Sequence, residues 1–465
     1  MNGSNKFEYS SKLRNTFLTL LGLGVVLTLI GFFTGGGMSR FWTNLLLDTI
    51  YFLGISVLAI WFIAAHQLAM SGWYITIKRI PEAVSQFSII GAVFMLIIVF
   101  GVAGNYHNLY HHWDNEFIQE PTVKLEALKE YEEELAHEGE HGEEGMVTFS
   151  REWQEFQYNH YGNYEEERSM FEPKINLTPD SLGNVQNPYY DKLIDGKSGY
   201  LNSSFWTIRS LLYLIIWVWI AVMLRRFSLK EDLEPTTKWY MKTKTWAAVF
   251  LPVWGVTSSM MAWDWVMSLD PHWYSTLFGW YNFVSLWVAC VSTILLIIIY
   301  LKRKGYLPQV NENHLHDLGK YIFAFSIFWT YLWFSQFMLY WYGNIPEETK
   351  WFLLRARSSY APLFYANLFL NFFFPFLVFM RRDAKRNMKV LTIVATVMIF
   401  SHWLDYFVMI MPTTVGEHWG IGFFEIGLFL TFAGLFLFFV FRELAKAPLI
   451  PANHPLLKES LDHHI

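Results

Sequence analysis

A single cysteine, Cys290, stands in 465 residues, and it lies inside an apolar run. One thiol cannot close an internal disulfide, form a Cys-x-x-Cys-His haem attachment or ligate an iron–sulfur cluster. Any covalent redox cofactor must therefore belong to another chain. Charge is scarce too: 16% of residues are Asp, Glu, Lys or Arg, against about a quarter in an ordinary soluble domain. In their place the chain is 53% hydrophobic and 19% aromatic, with 22 Trp and 42 Phe. Such a composition suits lipid-facing surface and interfacial belts. The net charge of −5 says little as an average, because the charges are unevenly spread. No internal repeat is visible, and no nucleic-acid partner is expected.

About ten runs of roughly 18–25 mostly apolar residues are each able to cross a bilayer as a helix. Their limits are 14–34, 44–70, 83–105, 203–224, 245–267, 277–301, 319–342, 359–380, 389–411 and 421–442. Lys12 and Arg14 precede the first run as in a signal peptide. The run is long, however, and no small-x-small cleavage site precedes the Gly35-Gly36-Gly37 turn, so it reads as a retained span. The expected class is all-α and polytopic. Residues 1–105 carry spans one to three, 106–202 an acidic extramembrane insert, 203–443 spans four to ten and 444–465 a tail. Lys and Arg crowd alternate connections, including Lys78, Arg79, Arg225, Arg226, Lys302, Arg303, Arg381 and Arg382, while the connection with Lys350, Arg355 and Arg357 is an exception. The positive-inside rule puts both termini in the cytoplasm and the insert outside.

The insert has about three Asp/Glu per Lys/Arg, as suits a solvated segment. Leu125, Leu128, Tyr131 and Leu135 recur at helical spacing. His137-Glu138-Gly139-Glu140-His141 fits H-E-x-x-H, but that chemistry needs a stable helix, a third ligand and a buried wall. Gly139, Gly142 and Gly145 in acidic surroundings favour a solvated run instead. His107, His111 and His112 follow span three, with His107 and His111 one helical turn apart. They suit an interface beside Tyr106, Tyr110 and Trp113, with a metal as the alternative.

Ionisable residues within spans are more informative: Asp48 and His66 in span two, Arg209 in four, Asp264 in five, His402 and Asp405 in nine, Glu425 in ten. A charge at the bilayer centre costs about 2.5–3.5 kcal/mol on insertion scales, so such groups pair, face a bundle interior or line a path. Two readings stand. In one, Arg209 neutralises a carboxylate and the others reach interfacial water. In the other, a hydrated half-channel enters from the outer face, with Asp264, His402 and Asp405 at its core, Asp48 and Glu425 near its mouth and His66 on the inner side. His402 and Asp405 share one helical face at i, i+3. His66 and His402 lie at different depths, so intrinsic haem is not expected.

The stretch Tyr321–Thr349 carries the most specific signal. It runs as an aromatic span and then breaks at Gly343-Asn344-Ile345-Pro346-Glu347-Glu348-Thr349, which reads as a helix restart with Asn344 as N-cap and Glu347 completing a capping box. Phe334-Ser335-Gln336-Phe337-Met338 with Trp341–Thr349, then Ser268-Leu269-Asp270-Pro271-His272-Trp273-Tyr274-Ser275-Thr276, and His402-Trp403-Leu404-Asp405 through Met411-Pro412 resemble, in order and spacing, the ActF family. These are membrane subunits of bacterial alternative complex III, a quinol:electron acceptor oxidoreductase. The resemblance implies an NrfD or polysulfide-reductase membrane-subunit fold: two four-helix bundles, spans two to five and six to nine, with flanking helices. It implies no cofactor in this chain, haem c and iron–sulfur clusters in partner subunits, and a sister subunit, ActC, as the better candidate for quinol oxidation. A quinone site in this chain is left open. It further implies the inner membrane of a bacterium, a scaffold with a candidate proton path, and docking of redox subunits at the outer loops, with His272, Asn344, Glu347, Glu348 and His418 as candidates. A stand-alone proton-coupled transporter and a purely structural anchor are the alternatives from other classes. A transporter would usually break paired helices near the midplane, and Pro252 and Pro375 do not form a clear pair.

Overall fold

The computed structural model describes residues 6–34, 37–131 and 183–464, apart from the side chains of Glu116, Pro346, Glu347 and His418. Among the described residues, ten helices are long and apolar enough to cross a membrane. They are span one Ser11–Phe33, two Met38–Leu68, three Arg79–Ala103, four Ser203–Leu233 and five Thr237–Leu269. Then follow six Leu277–Arg303, seven Glu312–Gly343, eight Ala361–Phe379, nine Met388–Thr414 and ten Phe423–Leu444. Every apolar run of the sequence becomes one of these helices. Several begin on a side-chain cap: Ser10, Asn202, Asn311 and Asn387 each accept a backbone N–H from the first turn of spans one, four, seven and nine.

Spans two to five pack in a ring, each against the next and five back against two. Spans six to nine form a second ring in the same way, and spans two and six meet along the seam. Burial follows from this: 94% of the apolar stretch of span two and 89% of that of span six are buried, against 22% of span one. Spans one and ten pair outside the rings, and ten also rests on two. Their close approach depends on glycine, since a Cβ on Gly24 would lie 2.4 Å from the Thr431 nitrogen and one on Gly427 2.6 Å from that of Thr28. The protein is thus an all-α, multi-pass membrane protein with two four-helix bundles and two flanking helices.

Lys6 bridges to Pro448, so both ends of the chain lie on one face. There the tail packs across the spans: the Ser460 hydroxyl donates to the Trp73 carbonyl at 2.7 Å, and His463 pairs with Asp317 at 2.8 Å. Lys78 and Arg79 are not loop charges, as the sequence suggests, but are 1% exposed. With Arg225 they join Glu82, Glu231 and Asp232 in a buried network of three cations and three carboxylates, which includes Arg225–Glu82 at 2.6 Å and Lys78–Glu231 at 3.4 Å.

The opposite face carries the described parts of the insert. Thr122–Lys124 pairs antiparallel with Asn184–Gln186, and residues 125–131 are helical as their spacing suggests. Val123, Leu128 and Val185 form a small core of their own. Residues 137–141, with the H-E-x-x-H pattern, lie outside the described residues. His107 and His111 are not one helical turn apart, because span three ends at Ala103. His107 bonds to the Ile98 carbonyl at 3.1 Å and packs on Trp42, while burial pushes His111 down to about 4. The restart after span seven also differs from expectation. Asn344 is its C-cap, at φ 47°, and the next helix, Pro346–Arg357, opens on Pro346 after Ile345, with no side-chain cap. Asparagine tolerates this left-handed conformation, so it closes the first helix instead of opening the second.

Candidate functional site

All four helices of the second bundle converge on the Asp405 carboxylate. From span six, the Tyr281 hydroxyl donates to Oδ1 at 2.5 Å and the Ser285 hydroxyl to Oδ2 at 2.8 Å. The Trp329 indole of span seven donates to Oδ2 at 2.9 Å, and the Asn367 amide of span eight to Oδ1 at 2.7 Å. Four neutral donors match the lone pairs of an ionised carboxylate, and among the described residues no Lys or Arg joins them. Asp405 is 1% exposed.

Span eight is shaped to reach this site. A π turn at Phe369–Phe373 precedes Pro375, whose missing N–H leaves the Asn371 carbonyl without its helical donor. Asn367 and Asn371, four residues apart, therefore both face span nine. The Ser401 hydroxyl donates to Asn371 Oδ1 at 2.7 Å, and the Asn371 amide to Asn367 Oδ1 at 2.5 Å. An amide chain thus runs from Ser401 to Asp405.

His402 lies 4.0 Å from Asp405, beyond direct bonding, and Ser285 bridges them. Its hydroxyl is 3.1 Å from His402 Nδ1 and donates to Asp405. Because that proton is committed to the carboxylate, Nδ1–H must be the donor toward Ser285. His402 Nε2 is then a bare acceptor, buried and without a partner among the described residues. If Nε2 first takes up a proton, the resulting imidazolium can pass its Nδ1 proton to Ser285 while the Ser285 proton passes to Asp405, leaving a neutral imidazole and a neutral carboxyl, so the series His402, Ser285, Asp405 has the geometry of a proton relay.

Asp264 belongs to the first bundle and does not share these partners. Arg209 grips it with two bonds of 2.9 Å and Tyr213 adds one of 2.8 Å. Arg209 also lies over the rings of Tyr200 and Phe205, and it donates to the Tyr200 carbonyl at 3.0 Å. Asp48 and Glu425 are neighbours beside span nine. Glu425 caps span ten through the Gly422 N–H at 2.8 Å and takes two bonds of 2.7 Å from Arg40 and one of 3.0 Å from Asn44. Asp48, one turn beyond Asn44, accepts the Trp403 indole at 2.8 Å on Oδ1, while its buried Oδ2 has no partner among the described residues. Such buried orphan acceptors are where water enters a polar interior. His66 stands apart toward the terminus-bearing face, with Nδ1 2.8 Å from the Phe62 carbonyl and Nε2 3.2 Å from the Tyr321 hydroxyl.

The segments that follow spans five, seven and nine cluster on the face opposite the termini. Tyr340 donates to the Tyr274 carbonyl at 2.5 Å, Trp273 stacks on Trp351 at 4.4 Å, and Tyr360 donates to the Gly416 carbonyl at 2.7 Å. His272 is half-exposed and tied to Asp191 of the insert at 2.5 Å. Burial opposes ionisation of Asp191, but His272 and the backbone N–H groups of Ile194 and Leu193 hold its carboxyl below the usual range. Asn344 is exposed and Glu348 half-exposed. The side chains of Glu347 and His418 lie outside the described residues.

Arg355, an exception in the charge count, is fully buried. Pro412 lacks the N–H that would bond the Val408 carbonyl. Arg355 Nε donates to that carbonyl at 2.9 Å and Nη2 to the Met409 carbonyl at 2.8 Å.

Sequence reasoning missed Tyr281, Ser285, Trp329 and Asn367, which are ordinary residues on helices remote in sequence. It also missed Arg40, four residues before the expected start of span two. Comparison of the sequence with known protein families and with curated proteins gives no match.

Proposed function

We propose that this chain is an ActF-like membrane subunit of a bacterial quinol:electron acceptor oxidoreductase, set in the inner membrane with both termini in the cytoplasm. In this reading it holds multihaem cytochrome and iron–sulfur subunits at its outer loops, sits beside a sister subunit of the same fold, and moves protons through its second bundle. The observation that carries the proton role is the Asp405 cluster. It is a buried carboxylate with four neutral donors and a hydroxyl link to His402, and no Lys or Arg fixes its charge. A structural carboxylate in a membrane is normally paired, as Asp264 is. The subunit role is supported by the two-ring arrangement and by the clustering of the three resembling segments on one face. No redox chemistry is assigned to this chain's own residues.

The test is gentle purification of the tagged chain from its native membrane, with identification of whatever stays bound. Multihaem c-type cytochrome and iron–sulfur polypeptides in stoichiometric amounts are expected, together with quinol-dependent reduction of an acceptor. A homogeneous single-chain species that catalyses solute uptake in vesicles would replace this reading with the transporter.

A further inference from the structure

Spans four and five end, on the face that carries the termini, in a cluster of lysines. Trp239 is 7% exposed and ringed by three ammonium groups, with Lys230 4.6 Å, Lys242 4.8 Å and Lys238 5.2 Å from the ring centroid. Lys230 comes from span four, the other two from span five. All three lysines are exposed. Among the described residues none of them pairs with a carboxylate, whereas Lys78, Lys320 and Lys446 each do. The carboxylate close by, Glu234, accepts the Trp239 indole N–H at 2.7 Å. Cation–π contact holds each lysine at the ring, yet three like charges around one ring repel one another. An anion placed among them would relieve that repulsion.

Both helices lead from this cluster along exposed apolar surface. On span four the exposed Ile208, Leu212, Ile215 and Trp219 follow one helical face, and the same face continues to Arg226 and Lys230. On span five the exposed Val256 and Val249 lead to Lys242 and Lys238. Trp219 and Trp246 meet edge to face at 4.9 Å and join the two stripes, a pairing suited to the lipid–water boundary. We infer that these helix ends form a binding site for an anionic phospholipid, its phosphodiester among Lys230, Lys238 and Lys242 and its acyl chains along the two stripes. Basic pockets between helices at the cytoplasmic side of a membrane recognise such headgroups. An acidic protein segment would use the lysines but not the apolar stripes beneath them. The site is independent of the proton path and of the redox partners.

Native mass spectrometry of the full chain, released from micelles containing phosphatidylglycerol and phosphatidylcholine, tests this. The wild-type chain should retain phosphatidylglycerol selectively, and inorganic phosphate should not displace it. Each lysine is worth about fivefold in affinity, so the K230Q/K238Q/K242Q variant should lose at least about tenfold of the phosphatidylglycerol signal. Phosphatidylcholine should be unaffected, and K230R/K238R/K242R should restore retention. Unchanged retention in the glutamine variant overturns the site. Displacement by inorganic phosphate makes it a site for soluble anions and also overturns the lipid assignment. Should the triple variant not accumulate, K238Q and K242Q singly should each fall about fivefold, and unchanged retention in both overturns the proposal.

Discussion

Two buried carboxylates, one on the last helix of each bundle, show how environment divides one residue type between two tasks. Asp264 on span five faces a guanidinium that meets both of its oxygens, so it is tied to span four and its neighbours are locked with it. Asp405 on span nine faces only neutral donors and reaches a histidine through a hydroxyl. The first arrangement ties helices together. The second, in the proton role proposed above, would take up and release a proton without losing its scaffold. Burial alone therefore does not mark a functional carboxylate in a membrane, and the nature of the partner does.

Removing Arg209 should have the largest effect. Arg209→Gln leaves Asp264 buried without its counter-charge, and breaking one partner of a buried pair costs about 3–5 kcal/mol. Loss of membrane accumulation or a large fall in thermal stability is expected, partly recovered by Asp264→Asn in the same chain. Normal stability of Arg209→Gln would erase the distinction between the two carboxylates. Asp405→Asn should be milder in fold and stronger in function. It turns one buried acceptor into a donor among donors, a loss of about 1–3 kcal/mol, while the assembled complex should lose most proton-coupled turnover. Full turnover and unchanged proton stoichiometry in the assembled complex would make Asp405 a packing residue.

Ser285→Ala sharpens the comparison further. It removes the bridge but neither titratable group, so a stability loss of about 1 kcal/mol should accompany a changed pH profile of turnover and an altered His402 imidazole signal by nitrogen NMR. An unchanged imidazole signal would mean that the bridge carries nothing. The smallest effect is a control that touches neither carboxylate. Burial, with Lys78 nearby, lowers His454 of the tail to about 2. A histidine whose folded pKa is depressed stabilises the docked tail fully above its unfolded value of about 6.5 and progressively less as pH falls below it. Protection factors at 451–464, which remove the intrinsic pH dependence of amide exchange, should therefore fall between about pH 6.5 and 4 and change much less in His454→Leu. Equal protection across that range in the wild-type chain would show that the tail is held by other contacts.

The ten spans were legible because apolar length is a local property. His402 with Asp405 was legible for the same reason, since i, i+3 spacing on one helix is local. The pairing of Arg209 with a carboxylate was within reach as one of two readings, but nothing local to span four singled out Asp264 as its partner. The proposed core of Asp264, His402 and Asp405 joins residues that lie in separate bundles and hold separate partners. Ser285, Asn367 and Trp329 were not legible, because their convergence depends on the rotation of three other helices and, for Asn367, on a π turn. Asn344 was misread because a cap asparagine between two helices can serve either, and only the φ angle decides.

The bond between Arg355 and the carbonyls beside Pro412 has a consequence for biogenesis. During synthesis the helix Pro346–Arg357 leaves the ribosome before span nine. When span nine enters the lipid, the Val408 carbonyl lacks its helical donor because Pro412 has no N–H, a costly state in hydrocarbon. The earlier helix must therefore already wait beside that turn, its guanidinium ready to receive the carbonyl. The order in which the chain emerges matches the order in which these groups are needed, and a circular permutant that makes span nine first should insert poorly.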